Sequence, residues 1–121
     1  MRYAALVVAF VLVAALASAQ AVINPTAVSF TASADHSRLT KYVIGYFAAG
    51  ATDPMQQYDL PLGTPDPTNT VLLPISSTPL GFGAYTAKMK ACADTICSEW
   101  SEASNPFTRA PMPPAAPVLR R

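Results

Sequence analysis

The sequence predicts an all-β chain, folded as a small antiparallel β-sandwich behind a hydrophobic N-terminal export segment. Three observations predict it. Beyond its first 19 residues the chain has almost no helical period and instead alternates apolar and polar residues in short runs. Turn signals separate those runs: Ala34-Asp35-His36-Ser37, Gly50 to Pro54, Gly63 to Asn69, and Gly81 with Gly83. The twelve prolines avoid 26–53 and 80–105, the windows in which central strands can complete their hydrogen-bond ladders. Five or six short strands parted by turns favour a sandwich.

The N-terminus has the three-part layout of a secretory signal. Met1-Arg2 supplies the charge, Tyr3 to Ala17 the apolar run, and Ala17-Ser18-Ala19 a small-x-small cleavage pattern before Gln20. The run is about 15 residues, short of the roughly 20 that span a bilayer, so a membrane enters only if the segment stays uncleaved. No cysteine stands at the cut site, and Asn24 is followed by Pro25, which spoils it as a glycosylation acceptor. The expected organisation is a signal peptide at 1–19, forming a hydrophobic helix, one domain over 20–110, and a proline-rich tail at 111–121. The product would be secreted, periplasmic or on the cell surface. Removal of 1–19 takes away Arg2 and leaves seven basic and seven acidic side chains. Such a balance removes the electrostatic case for nucleic acid or an anionic membrane as partner.

The elements follow in order. Val28, Phe30 and Ala32 alternate with Ser29, Thr31 and Ser33. Lys41 to Phe47 is β-rich, with Tyr42, Ile44 and Tyr46 on one face. The stretch 54–79 holds six prolines and should be turns and edge strands, among them Thr70 to Ile75 with Val71, Leu73 and Ile75 on one face. Tyr85, Ala87, Met89 and Ala91 alternate with Thr86, Lys88 and Lys90, so the apolar set faces in and the two lysines face water. The expected core is Tyr42, Ile44, Tyr46, Leu73, Leu80, Tyr85, Ala87 and Met89. From Pro111 onward the chain reads as an extended linker or stalk.

These residues resemble a fibronectin type III domain. Tyr42-x-Ile44-x-Tyr46 resembles that family's strand C. Leu80, Gly81-Phe82-Gly83 and Tyr85-Thr86-Ala87-x-Met89-x-Ala91 resemble its E–F corner and strand F. Ser98-Glu99-Trp100-Ser101, then Ser104 and Phe107, resemble its closing strand G. The resemblance spans about residues 24–110 and implies a tyrosine corner, in which the Tyr85 hydroxyl returns to the backbone just upstream. Two departures stand out. The tryptophan usual on strand B is absent, leaving Phe30 or Ala32 to fill its space, and the region before Val28 is short, so strand A is missing or only a few residues long.

Chemistry-bearing residues are few. Cys92 and Cys97 are the only thiols, and an even pair in an exported chain reads as a disulfide. Their spacing fits a bridge across the F–G hairpin, with Ala93 to Ile96 as the turn and Cys92 facing outward with the lysines. A redox motif needs Cys-x-x-Cys, and a metal site needs two more ligands, so neither metal nor cofactor is expected. Asp35-His36-Ser37 holds the residue types of a hydrolase triad, but adjacent residues cannot supply its geometry. It reads as a polar turn in which Asp35 bonds the backbone two residues on.

Trp100-Ser101-Glu102-Ala103-Ser104 resembles half of the Trp-Ser-x-Trp-Ser box of cytokine-receptor type III domains, with Ala103 in place of the second tryptophan. Lys88 and Lys90 stand where they could stack on Trp100 by cation–π contact. Packing within strand G is the first expectation for Trp100, and an exposed aromatic anchor the second. Val43 and Phe47 occupy the other face of strand C. If outward, they form with Trp100 an apolar binding surface; the competing expectation is cover by Met55 to Leu60. Arg120-Arg121 are too few charges for a nucleic-acid or membrane site.

The resemblance implies a non-catalytic exported module, not an enzyme, serving as a spacer or binding an unidentified protein or carbohydrate. The alternative is an accessory module of an extracellular enzyme, or a small hydrolase-like enzyme. Fold alone does not choose between them.

Overall fold

The structure is a computed structural model that describes residues 22–121; the signal peptide expected at 1–19 lies outside the described residues. Among the described residues eight strands follow one another: β1 (Val22–Ile23), β2 (Ala27–Thr31), β3 (Lys41–Ala48), β4 (Gln56–Leu60), β5 (Thr70–Pro74), β6 (Gly83–Ala93), β7 (Ile96–Cys97) and β8 (Phe107–Arg109). The only helical element among the described residues is a 3-10 turn, His36–Arg38. The described residues are all-β, as predicted. The larger sheet runs β1-β8-β6-β3-β4 with β7 also on β6, and β2 and β5 form a second, two-stranded sheet.

The proline-free windows become the centre of the larger sheet. β3 and β6 pair antiparallel without a bulge, from Lys41↔Cys92 to Ala48↔Tyr85. This register puts Tyr42, Ile44 and Tyr46 on the same face as Ala91, Met89, Ala87 and Tyr85. That face and the small sheet share one apolar cluster, which includes Val71 and Leu73 of β5 and Leu80. The expected core is buried except for Met89, which is half-buried against it. Aromatic rings join strands and layers: within the larger sheet Phe107 meets Tyr46 edge-on at 5.7 Å and stacks on Tyr85 at 5.6 Å, and between the sheets Phe30 meets Tyr42 edge-on at 4.8 Å.

Proline and asparagine fix the edges. Ala32 donates to Asn69 and Ile75 to Thr26, so the even-numbered residues of β2 point their backbone groups at β5. Pro74 sits opposite Ala27, in the non-bonded phase, where its missing N–H costs no ladder bond. The Tyr85 hydroxyl donates to the Gly81 carbonyl at 2.8 Å, the bond expected of a tyrosine at this corner.

The first strand departs from an all-antiparallel arrangement. Val22–Ile23 does not join β2 but pairs parallel with β8, as Val22↔Phe107 and Ile23↔Thr108. Asn24 explains the switch. At φ 46 its backbone turns the chain out of the sheet, and its side chain pairs with Ala110 like one more ladder residue. Oδ1 accepts from the Ala110 N–H at 2.9 Å, and Nδ2 donates to the Ala110 carbonyl at 3.0 Å. One edge of β2 therefore has no partner strand among the described residues. From Pro111 the chain has no regular structure and is exposed.

Candidate functional site

The outer face of the larger sheet holds every proposed surface residue. Alternation places Val43, Gly45 and Phe47 there, beside Lys88, Lys90 and Cys92 of β6. The face is nonetheless closed. Val43, Phe47 and Cys92 are 5%, 1% and 0% exposed. Trp100 covers it, meeting the Phe47 ring edge-on at 5.3 Å between centroids. Gly45 makes the approach possible: a Cβ there would stand 2.7 Å from the Trp100 ring.

Lys90 Nζ lies 4.6 Å from the Trp100 ring centre, and Lys88 Nζ 4.8 Å from that of Phe47. The two ammonium groups thus stand over the aromatic rings, and both lysines remain partly exposed. Val43 and Phe47 are consequently not an exposed binding surface. Their cover is also not the 55–60 segment, because β4 lies beside β3 in the same sheet and not on top of it. Trp100 itself is half-buried and is a packing residue.

What holds Trp100 in place is a run of serines that the alternation does not reveal. The N–H groups of Ser98, Ser101 and Ser104 donate to the carbonyls of Ala91, Met89 and Ala87 at 2.7–2.8 Å. Their hydroxyls accept in return from the N–H groups of the same three residues at 2.9–3.0 Å. Each hydroxyl then donates to the carbonyl of the next residue: Glu99, Glu102 and Asn105. Three residues of this segment match two of β6, so it advances about 2.2 Å per residue against about 3.3 Å for a strand. The closing strand is thus two short pieces, β7 and β8, joined by a compressed ladder in which side-chain oxygens stand in for backbone carbonyls. The signal was present in the sequence as serine at every third position.

Cys92 and Cys97 are bonded, directly opposite one another across the β6–β7 hairpin, with their α-carbons 4.0 Å apart. The turn is tighter than expected. Ala93 and Ile96 pair with each other, leaving Asp94 and Thr95 as the loop, with Asp94 at φ 56. Thr40 braces it: its hydroxyl accepts from the Asp94 N–H at 2.8 Å and donates to the Cys92 carbonyl at 3.2 Å. Cys92 lies on the lysine face as predicted, but that face is covered, so its sulfur is buried.

His36 is tied into the scaffold: its Nδ1 is 2.7 Å from the Tyr42 hydroxyl, which also accepts from the Ser33 N–H at 3.1 Å. In this turn it is the Ser33 hydroxyl that accepts from the backbone two residues on, at Asp35, and not the Asp35 carboxylate from Ser37. Asp66 does play such a part in its own turn. Its carboxylate accepts from the Thr68 hydroxyl and from the N–H groups of Thr68 and Thr70 at 2.6–3.0 Å. Those bonds, the Thr68 hydroxyl first, hold its pKa below the ordinary carboxylate value. Burial pushes the Tyr46 hydroxyl up, helped by neighbouring Tyr58; it donates to the Ser76 carbonyl at 3.3 Å.

The structure therefore brings together Trp100, Phe47, Val43, Lys88, Lys90 and the disulfide, and makes of them one packed outer cluster. No family model matches this sequence, and comparisons with the curated proteins and with the solved structures also yield no match.

Proposed function

We propose that the chain is an exported, non-catalytic binding or spacer module with a fibronectin type III-like sandwich. The observation that carries the reading is the use of the reactive side chains as scaffold. The His36 ring is bonded to Tyr42, and the hydroxyls of Ser98, Ser101 and Ser104 each accept from β6 and donate to the next carbonyl. A serine nucleophile needs its hydroxyl proton directed at a base, and these three protons go to backbone carbonyls instead.

The type III assignment is supported by the strand arrangement. β2 and β5 correspond to that family's B and E, while β4, β3, β6 and the 96–109 segment correspond to C′, C, F and G. The Tyr85–Gly81 bond corresponds to its tyrosine corner. Export is supported by the Met1–Ala19 layout and by a disulfide, which persists in oxidising compartments.

The test is to immobilise the exported protein and present arrays of extracellular proteins and glycans, alongside a panel of ester, peptide and glycoside substrates. Saturable binding without turnover is expected. Turnover abolished by replacing His36 or Ser98 would overturn the reading.

A further inference from the structure

The small sheet lays only two strands over a six-stranded layer, and this leaves a seam. Two hollows of about 200 and 380 Å³ lie end to end along β2. One wall is β2 itself, Ala27 to Thr31, and the other is the serine segment, Ser98 to Ser104. Tyr42, Tyr46, Ala87 and Met89 make the floor. Val28 and Phe30 are only half-buried because nothing described closes this side.

Among the described residues the wall is also an unpaired strand edge. Because the even-numbered residues of β2 bond to β5, the N–H and C=O groups of Ala27, Ser29 and Thr31 point into the gap. The run Ala-Val-Ser-Phe-Thr carries none of the devices that blunt an edge: no proline, no lysine, no inward charge. The opposite edge of the molecule, β4, is blunted by the Lys41–Asp59 ion pair at 3.0 Å and is flanked by Pro54 and Pro61.

We propose that this seam is an acceptor for one extended segment of another polypeptide, added as a strand antiparallel to β2. The proposal deepens the binding reading above and rests on it. Three arguments choose this occupant. First, the chain's own flanks do not supply it: once 1–19 is removed, only Gln20 and Ala21 precede Val22, which lines the seam's near end, and the tail is broken by Pro111, Pro113, Pro114 and Pro117, which cannot donate to a ladder. Two residues span about 7 Å, whereas the five of β2 need about 17 Å.

Second, a second folded copy does not fit. The layer beneath the seam continues past β6 through the serine segment, so a partner bringing its own second layer would meet that wall. A lone strand is the right width. Third, charge sets polarity. The lining is neutral apart from Lys90 and Glu99 at the Thr31 end, and Lys90 is already stacked on Trp100. Glu99 there favours a lysine or arginine, which falls at the N-terminal end of a strand antiparallel to β2. The guest therefore has alternating small apolar residues facing the tyrosines and a basic residue at its start.

The probe is a seven-residue peptide, acetyl-Lys-Thr-Val-Thr-Val-Thr-Val-amide, titrated into the exported protein after mass spectrometry has fixed its N-terminus. Its control carries the same side chains but is N-methylated at the amides that would face β2. Expected are saturable binding and slowed amide exchange at Ala27, Ser29 and Thr31, both absent with the control. Ser29→Pro removes one edge donor at a position proline tolerates and should weaken binding about tenfold. Glu99→Lys, remote from the core, should weaken it as well and should favour a probe that begins with Glu.

No saturable binding at millimolar peptide, equal binding of the N-methylated control, or protection that rises with protein concentration and no peptide would each overturn the proposal, the last in favour of a second copy. A retained Met1–Ala19 found by mass spectrometry would instead overturn the choice of occupant, because the chain would then carry a segment long enough to fill the seam itself.

Discussion

The two faces of the larger sheet are built from interleaved residues of the same strands, yet they solve burial differently. The inner face carries Tyr42, Ile44 and Tyr46 and is closed by a second sheet. The outer face carries Val43, Gly45 and Phe47 and is closed by one tryptophan and two lysines. Both end nearly dry: Ile44 and Phe47 are each 1% exposed. The difference teaches that lysines on alternate positions do not mark an open face. A long cationic side chain can set its ammonium over an aromatic ring and still stay partly exposed.

Breaking the comparison starts with matched truncations. Ile44→Ala should cost about 3 kcal/mol and Phe47→Ala about as much, since both leave a cavity in closed packing. Urea unfolding of the two variants checks this. A Phe47 variant within about 0.5 kcal/mol of the parent would mean that the outer cluster is only a lid and not a second core.

The disulfide is the next largest effect. Replacing both Cys92 and Cys97 by serine should lower stability by about 2 kcal/mol, the loop-entropy contribution of so short a ring, and should leave the protein folded. Thermal unfolding gives the shift, and free-thiol titration of the unreduced parent should find none. Failure of the variant to fold would make the outer cluster the more important of the two.

Ser101→Ala asks how Trp100 is held. It removes the acceptor for the Met89 N–H and should cost about 1 kcal/mol. It should also loosen the Trp100 ring, read as a red shift of its fluorescence. An unchanged spectrum would mean that ring packing alone positions the tryptophan.

The smallest effect lies away from both faces, at Asp66. Its pKa is lowered in the folded state, so its contribution is present above the unfolded carboxylate value near 3.9 and is lost as pH falls through the folded value. Asp66→Asn should lower stability slightly at neutral pH and leave it unchanged below the folded value, so that the acid limb of the stability–pH curve flattens. A parallel displacement at all pH values would show that the turn works through shape and not charge.

Much of this was legible in the sequence. Alternation in Tyr42–Tyr46 and Tyr85–Met89 located the inner core, and the distribution of proline located the central strands, because both reflect rules local to a strand. The outer cluster was not legible by the same rule. Its cover comes from Trp100, and the direction of that ring depends on a segment whose period is three and not two. The β1 switch was hidden for a similar reason: it depends on an asparagine at positive φ and a side chain bonding 86 residues away. Local patterns register which face a residue takes. They do not register what another part of the chain lays over that face.

The parallel pairing of β1 with β8 gives the domain a mechanical character. The chain enters at the Val22 end of this pair and leaves toward the tail at the Asn24 end. A pull between the two termini therefore acts along the strands and not across them. The bonds Val22–Pro106, Asn24–Thr108 and Asn24–Ala110 are then loaded together and must fail together. An antiparallel pair pulled from its open end would instead surrender its bonds one at a time, at much lower force. As a spacer under tension, this domain would resist at its very edge, where its chain is shortest and its sheet thinnest.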